Sequence, residues 1–215
     1  ANPPGNTFHA FGHTDEARWL SFHGVGNAVR NHYLFTCIPE IYKLDNPVPV
    51  VVNEPYYDGL QWGNSAEQGS DLATYYSRVA LYGCVLSGAV AGHVYGAHHI
   101  WRGDEQMPEA FLIKSASQMH HIYDFLFSEG DVYRNLLEAK HLLRPYQTCN
   151  EDSNMGWAYC MRTKNRDMFF LYFEKGCQKP ILTGALPNEE YELTWYDPRK
   201  GEWVKSEKIN SFRNG

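Results

Sequence analysis

The residues able to do chemistry cluster where extended segments give way to loops. Val50-Val51-Val52 is a β-branched run that leads into Asn53-Glu54-Pro55-Tyr56-Tyr57. A continuous apolar run of this length fits a strand covered on both faces, as in a parallel sheet. Pro55 stops the ladder by removing a backbone donor. Glu54 is then a carboxylate at the C-terminal end of a parallel strand with aromatics around it, which is where α/β barrels keep their chemistry. The plainer reading is a surface carboxylate at a strand exit. Other strand exits deliver similar groups: His9 and His13 after Thr7-Phe8, His23 and Asn27 after Trp19-Leu20, and His93, Tyr95, His98 and His99 in and after Ala89 to Gly96. Most of the chain's ten histidines belong to this set. If the strands are parallel and adjacent, these groups converge at one mouth and form a polar pocket suited to sugar hydroxyls. Each histidine reads equally well as a satisfied core or loop residue, because buried polar groups usually have structural partners.

Other chemistries fit less well. His98 and His99 are adjacent, so they point to opposite sides of an extended chain, and His120-His121 shares no helix face; no metal site is expected. Ser87-Gly88 lacks the Gly-x-Ser-x-Gly elbow, and no cysteine ends a strand. Phosphate-binding glycine patterns are absent, so no cofactor is expected. Glycoside hydrolysis needs two carboxylates, one as acid/base and one as nucleophile or water activator. Only Glu54 is well placed. Asp15, Glu16 and Asp58 read as solvated loop charges, and Asp104 and Glu105 lie in a charged loop.

The elements that must position these groups alternate. Trp19 to His23 reads as a strand followed by a Gly-rich turn; with Leu20 and Phe22 facing outward, Ser21 and His23 face the opposite side. Val29 to Leu44 has helical periodicity, and Asp71 is the expected N-cap of a helix from Leu72 to Leu86. Ala89 to Gly96 reads as a small-residue strand, and helices are expected at Ser115 to Phe127 and Val132 to Leu143. Strands alternating with helices mean a parallel sheet. From Gly156 the chain is strand-rich, with strands at Gly156 to Thr163, Met168 to Phe173, Pro180 to Thr183, Tyr191 to Tyr196 and Glu202 to Lys208. Short, regularly spaced strands point to a small antiparallel β-sandwich. Residues 1–147 and 148–215 are the expected domains.

Composition narrows the partners. The formal charge is −6 with no Lys/Arg block, which argues against nucleic acid and anionic membranes. No apolar run approaches the ~20 residues that span a bilayer. An odd count of five cysteines without close spacing argues against a disulfide framework; Cys37 and Cys84 sit in apolar helical patterns and read as buried thiols.

Phe8-His9-Ala10-Phe11-Gly12, Trp19 to His23, Val51 to Tyr57, Arg78 to Gly88 and Gly92 to Gly96 together resemble the second half of an apiosidase-like glycoside hydrolase domain. Gly156 to Cys160, Phe170 to Cys177 and Trp195 to Trp203, including Asp197-Pro198-Arg199-Lys200-Gly201-Glu202, resemble the collagen-binding-type β-sandwich that follows it. The resemblance implies the C-terminal half of a (β/α)8 barrel, strands five to eight, and then the sandwich. It implies a retaining glycosidase with Glu54 as nucleophile and its acid/base on a fourth strand that would precede Ala1. His9, His23, Asn27, Asn53, His93, Tyr95 and His98 would bind sugar, and Tyr56, Tyr57 and Trp101 would build stacking walls. Characterised members of the family cleave apiose from pectin side chains, so an oligo- or polysaccharide is the expected substrate and an exported location the expected one. A half-barrel exposes sheet edges. The N-terminal half is therefore expected as a second polypeptide, or the chain is expected to self-associate. The alternative is a non-catalytic carbohydrate- or matrix-binding protein on the same scaffold.

Overall fold

A computed structural model describes residues 19–30, 32–60, 66–148 and 154–213. The chain parts into two compact units. The first comprises the described residues up to Met119, together with Asn154. It is built on a three-stranded sheet in the order β1 (His23–Gly26), β2 (Val50–Glu54), β3 (Gly92–His93). Both pairings are parallel. Helix α1 (Tyr33–Ile41) connects β1 to β2, and α2 (Asp71–Leu86) connects β2 to β3. This is the alternation expected from the sequence. Short helices α3 (His98–Arg102), α4 (Met107–Ala110) and α5 (Lys114–Gln118) follow.

Local chemistry explains these elements. On α1, Leu34, Phe35, Cys37, Ile38 and Ile41 form one buried stripe. Helix α2 is capped by Ser70, whose Oγ accepts the Ala73 amide at 3.1 Å. Asp71, expected as the cap, is the first helical residue, and Leu72 on the expected buried side is 51% exposed. On β2, Val50 and Val52 are fully buried.

Two strand expectations shift. The first described strand is the glycine-containing His23–Gly26, while Trp19 and Phe22 before it are exposed. The pairing of β3 is confined to Gly92 and His93, consistent with the weak strand preference of the small residues around it.

The second unit contains residues from His120 onward, apart from Asn154. It begins with α6 (His121–Leu126) and holds three small antiparallel groupings. These are β4 (Leu137–Glu138) with β6 (Ala158–Arg162) and β7 (Phe169–Phe173); β5 (Leu143–Arg144) with β8 (Ile181–Leu182); and the hairpin β9 (Glu190–Asp197) with β10 (Glu202–Asn210). The late strands fall where the sequence places them. The helix expected over Val132 to Leu143 does not form. Its place is taken by 3-10 turns at Gly130–Asn135 and Lys140–Leu142 and by β4 and β5. The Ala139 amide donates to Cys160 at 2.8 Å, so pairing with β6 overrides the helical periodicity. Ala139, Leu143, Ala158 and Cys160 form a core flanked by Phe169, Leu171, Phe173 and Leu182.

Cys37 and Cys84 are buried free thiols, as expected; burial pushes the Cys37 thiol up to about 12. Cys149 lies outside the described residues. No described helix is long and apolar enough to cross a membrane.

Candidate active site

The sheet has two unlike faces. His23, Val25, Val50 and Val52 are buried, and the register sets His23 beside Val50 and Val25 beside Val52. His93 pairs with Val52 and shares that face. The other face carries Gly24, Val51 and Asn53, and Asn53 is exposed at its end. Strict alternation would put Glu54 on the buried face with Val52. A register shift prevents this. Val25 pairs with Val52, but Gly26 pairs with Glu54, so Asn53 is an extra residue on β2. A bulge of this kind re-aims the side chains beside it. Asn53 lies against Gly24, and a Cβ added to Gly26 would overlap the Glu54 Cβ and lie 2.8 Å from its amide nitrogen. Both residues are therefore turned toward the open face. Glycine at position 26 is what allows β1 to run past them.

The main chain holds the bulge. The Glu54 carbonyl accepts the Asn27 amide at 2.8 Å and the Ala28 amide at 3.0 Å, with Ala28 at positive φ (54°). The Asn27 side chain is occupied locally, its Oδ1 accepting the Val29 amide at 3.3 Å. The Glu54 carboxylate is half-buried and forms no hydrogen bond or ion pair among the described residues. That leaves it available to a ligand.

Tyr57 is the aromatic placed beside this carboxylate. Burial raises its phenol pKa and the nearby Glu54 charge raises it further. Its ring edge lies against Gly96: a Cβ there would overlap Cδ1 and Cε1 and come within 2.7 Å of Cγ. Tyr56 turns the other way. It is buried in a cluster with Tyr76 and Ala80, edge-on to Tyr76 at 5.6 Å between ring centroids, so it is core rather than a stacking wall. Burial pushes its phenol up to about 12.

Asp58 differs most from its reading as a solvated charge. It is fully buried, and burial raises its pKa; the Ser115 hydroxyl and the Gly69 amide draw it partly back. Oδ1 accepts the Gly69 amide at 2.8 Å. Oδ2 has no well-formed hydrogen bond, so Ser115 eases the charge without properly satisfying it. The available sequence signal was an Asp-Gly pair directly after a strand exit, where Asp side chains often bond loop amides.

The other expected site residues are dispersed. His23 is buried in the core, where desolvation lowers its pKa. His93 is half-buried as a residue, but its Nε2 is sealed from solvent without a partner, and burial pulls its pKa down to about 4. Tyr95 bonds Ser115 Oγ at 3.0 Å, anchoring the β3 exit to α5. His98 has a sealed Nδ1, its neighbour His99 pairs with Asp104 at 2.9 Å, and Trp101 is 52% exposed on α3. His9 and His13 lie outside the described residues. The structure thus brings Asn53, Glu54 and Tyr57 together and sets His23, His93 and Tyr56 into packing. Among the described residues no His, Cys, Asp and Glu cluster could hold a metal.

Comparison with known proteins gives a family and a fold. Residues 5–131 match the family model described as "Apiosidase-like, catalytic domain". Residues 146–214 match the one described as "Putative collagen-binding domain of a collagenase". Two solved structures share the fold. One, titled a glycoside hydrolase, aligns at TM-score 0.73 and 17% identity over 98% of this chain and 50% of its own. The other, a glycoside hydrolase family 5 protein from Bacteroides vulgatus ATCC 8482, aligns at TM-score 0.73 and 15% identity over 97% and 49%. This chain spans about half the length of each. No curated protein matches the sequence.

Proposed function

This chain belongs to the family of apiosidase-like catalytic domains, and from that premise we propose that it supplies the nucleophile, Glu54, to a retaining glycoside hydrolase. The observation that carries the proposal is the bulge opposite Gly26. It takes a strand-end carboxylate that alternation would bury and presents it, unpaired, on the open face of a parallel sheet. In this mechanism the Glu54 carboxylate attacks the anomeric carbon as the bond to the leaving oxygen breaks, and a second carboxyl group protonates that oxygen. Water then releases the sugar from Glu54, with the second group now acting as base. Asn53 beside the nucleophile is positioned to hold a sugar hydroxyl, and Tyr57 to pack on a ring face.

We do not assign the second carboxyl group to Asp58. Retaining enzymes hold the pair about 5–5.5 Å apart. Asp58, the nearest carboxylate in sequence, is buried and bound to Gly69. The proposal therefore places the acid/base on another stretch of polypeptide, which completes a (β/α)8 barrel around this sheet. The half-length match to glycoside hydrolase chains supports that arrangement. Apiose-bearing pectin side chains are the proposed substrate class.

The test is Glu54→Gln in the intact polypeptide. Loss of a nucleophile costs about 4 kcal/mol or more of barrier, at roughly 1.36 kcal/mol per tenfold. Turnover of apiose-bearing pectin side chains is expected to fall at least about a thousandfold. Turnover within a few-fold of wild type would sink the assignment.

A further inference from the structure

We infer that Asp58 is a positioning residue of this site: it ties the exits of β2 and β3 to the approach to α2 and so holds the Tyr57 ring against Gly96 beside Glu54. The inference rests on the reading of Glu54 as nucleophile. Asp58 lies at the meeting point of three loops. Its amide donates to the Gly96 carbonyl at 2.9 Å, and its carbonyl accepts the His98 amide at 2.8 Å, forming a parallel bridge with Ala97. Its Oδ1 holds the Gly69 amide, one residue before the Ser70 cap of α2. The Ser115 hydroxyl eases the charge of this carboxylate and in turn bonds Tyr95 at 3.0 Å. Between these ties stands Tyr57, adjacent to Asp58 in the chain and pressed on Gly96, the residue whose carbonyl Asp58 holds. Moving the Asp58 clasp moves the surface on which the Tyr57 ring rests.

The role inferred here needs an acceptor at Oδ1 rather than a charge, and an isosteric Asn keeps the bond to Gly69. The role inferred here runs through geometry at Tyr57, and a double-mutant cycle reads that directly. With apiose-bearing pectin side chains as probe, kcat and KM are measured on the intact polypeptide for wild type, Asp58→Ala, Tyr57→Ala and the double variant. Asp58→Ala is expected to lower kcat about tenfold or more in the wild-type background and less than about threefold once Tyr57 is absent. Asp58→Asn, which retains the acceptor for Gly69, is expected to stay within about threefold of wild type. Should Asp58→Ala fail to fold, Asp58→Ser carries the same comparison. The inference is overturned if the Asp58 substitution costs the same factor with and without Tyr57, or costs nothing. If Glu54→Gln is inactive and the cycle is additive, only the role of Asp58 falls. If Glu54→Gln turns over normally, the nucleophile reading falls whatever the cycle gives. A wild-type protein with no turnover of the probe counts against both.

Discussion

Glu54 owes its direction to an inserted neighbour rather than to its own place in the alternation. The position was legible from the sequence because a β-branched run, a carboxylate and a proline in that order mark a strand exit. The roles of His23 and His93 were not legible in the same way. Side-chain direction in a strand depends on parity, and a one-residue change of frame exchanges the faces. His23 opens β1 beside Val50, which fixes it on the buried face. His93 follows by its pairing with Val52. This burial has a consequence at acid pH. The folded protein holds the His93 ring neutral down to about pH 4, against an ordinary value of 6.5. As pH falls below about 6.5 the unfolded chain takes up this proton first, so stability declines through the window from 6.5 to 4. His23 acts in the same direction. Thermal unfolding between pH 7 and 4 is expected to show a shallower decline for His93→Gln than for wild type. An identical slope would mean that His93 is not held neutral.

At the scale of elements, the β1–β2 pair is the device that matters, and it depends on a residue without a side chain. Gly26→Ala would drive a methyl into Glu54 and its amide. Overpacking of this kind costs about 1–3 kcal/mol, and here relief of the clash must displace the nucleophile. Ser70→Ala is the matched control: it removes the cap of α2, costs about 1 kcal/mol, and leaves the bulge alone. Denaturant unfolding should therefore show a loss in both variants, while turnover should collapse only in Gly26→Ala. Equal turnover in the two would show that the bulge does not aim Glu54. The sequence carried α2 almost to its observed limits, because a long periodic segment with a polar capping residue at its start is a local signal. It misread Val132 to Leu143, where Leu and Ala at helical spacing are recruited by β6, a partner that no local window contains. It also placed the strand before α1 too early, at Trp19 to His23, since Gly24 and Gly26 looked like a turn. Glycines there serve close approach to Asn53 and Glu54.

At the scale of the whole molecule, the alternation of strands and helices and the late run of short strands separated two kinds of architecture in the sequence, and the structure has both. A parallel sheet is stable when both faces are covered. Helices bury one face here; on the other, Asn53 is exposed and Val51 and Glu54 are half-buried, which leaves that face open at the end of β2. The proposed account makes that open face the floor of a barrel pocket, completed by polypeptide beyond this chain. Its central claim is that Glu54 forms the bond to the sugar, and covalent trapping tests this most directly. The intact polypeptide would be incubated with a fluorinated apiosyl analogue whose glycosyl-enzyme hydrolyses slowly, then digested and mapped by mass spectrometry. The account predicts a single glycosyl adduct on the peptide containing Val50 to Tyr57, located at Glu54 and absent from Glu54→Gln. An adduct on a different carboxylate, with Glu54 unmodified, would contradict it.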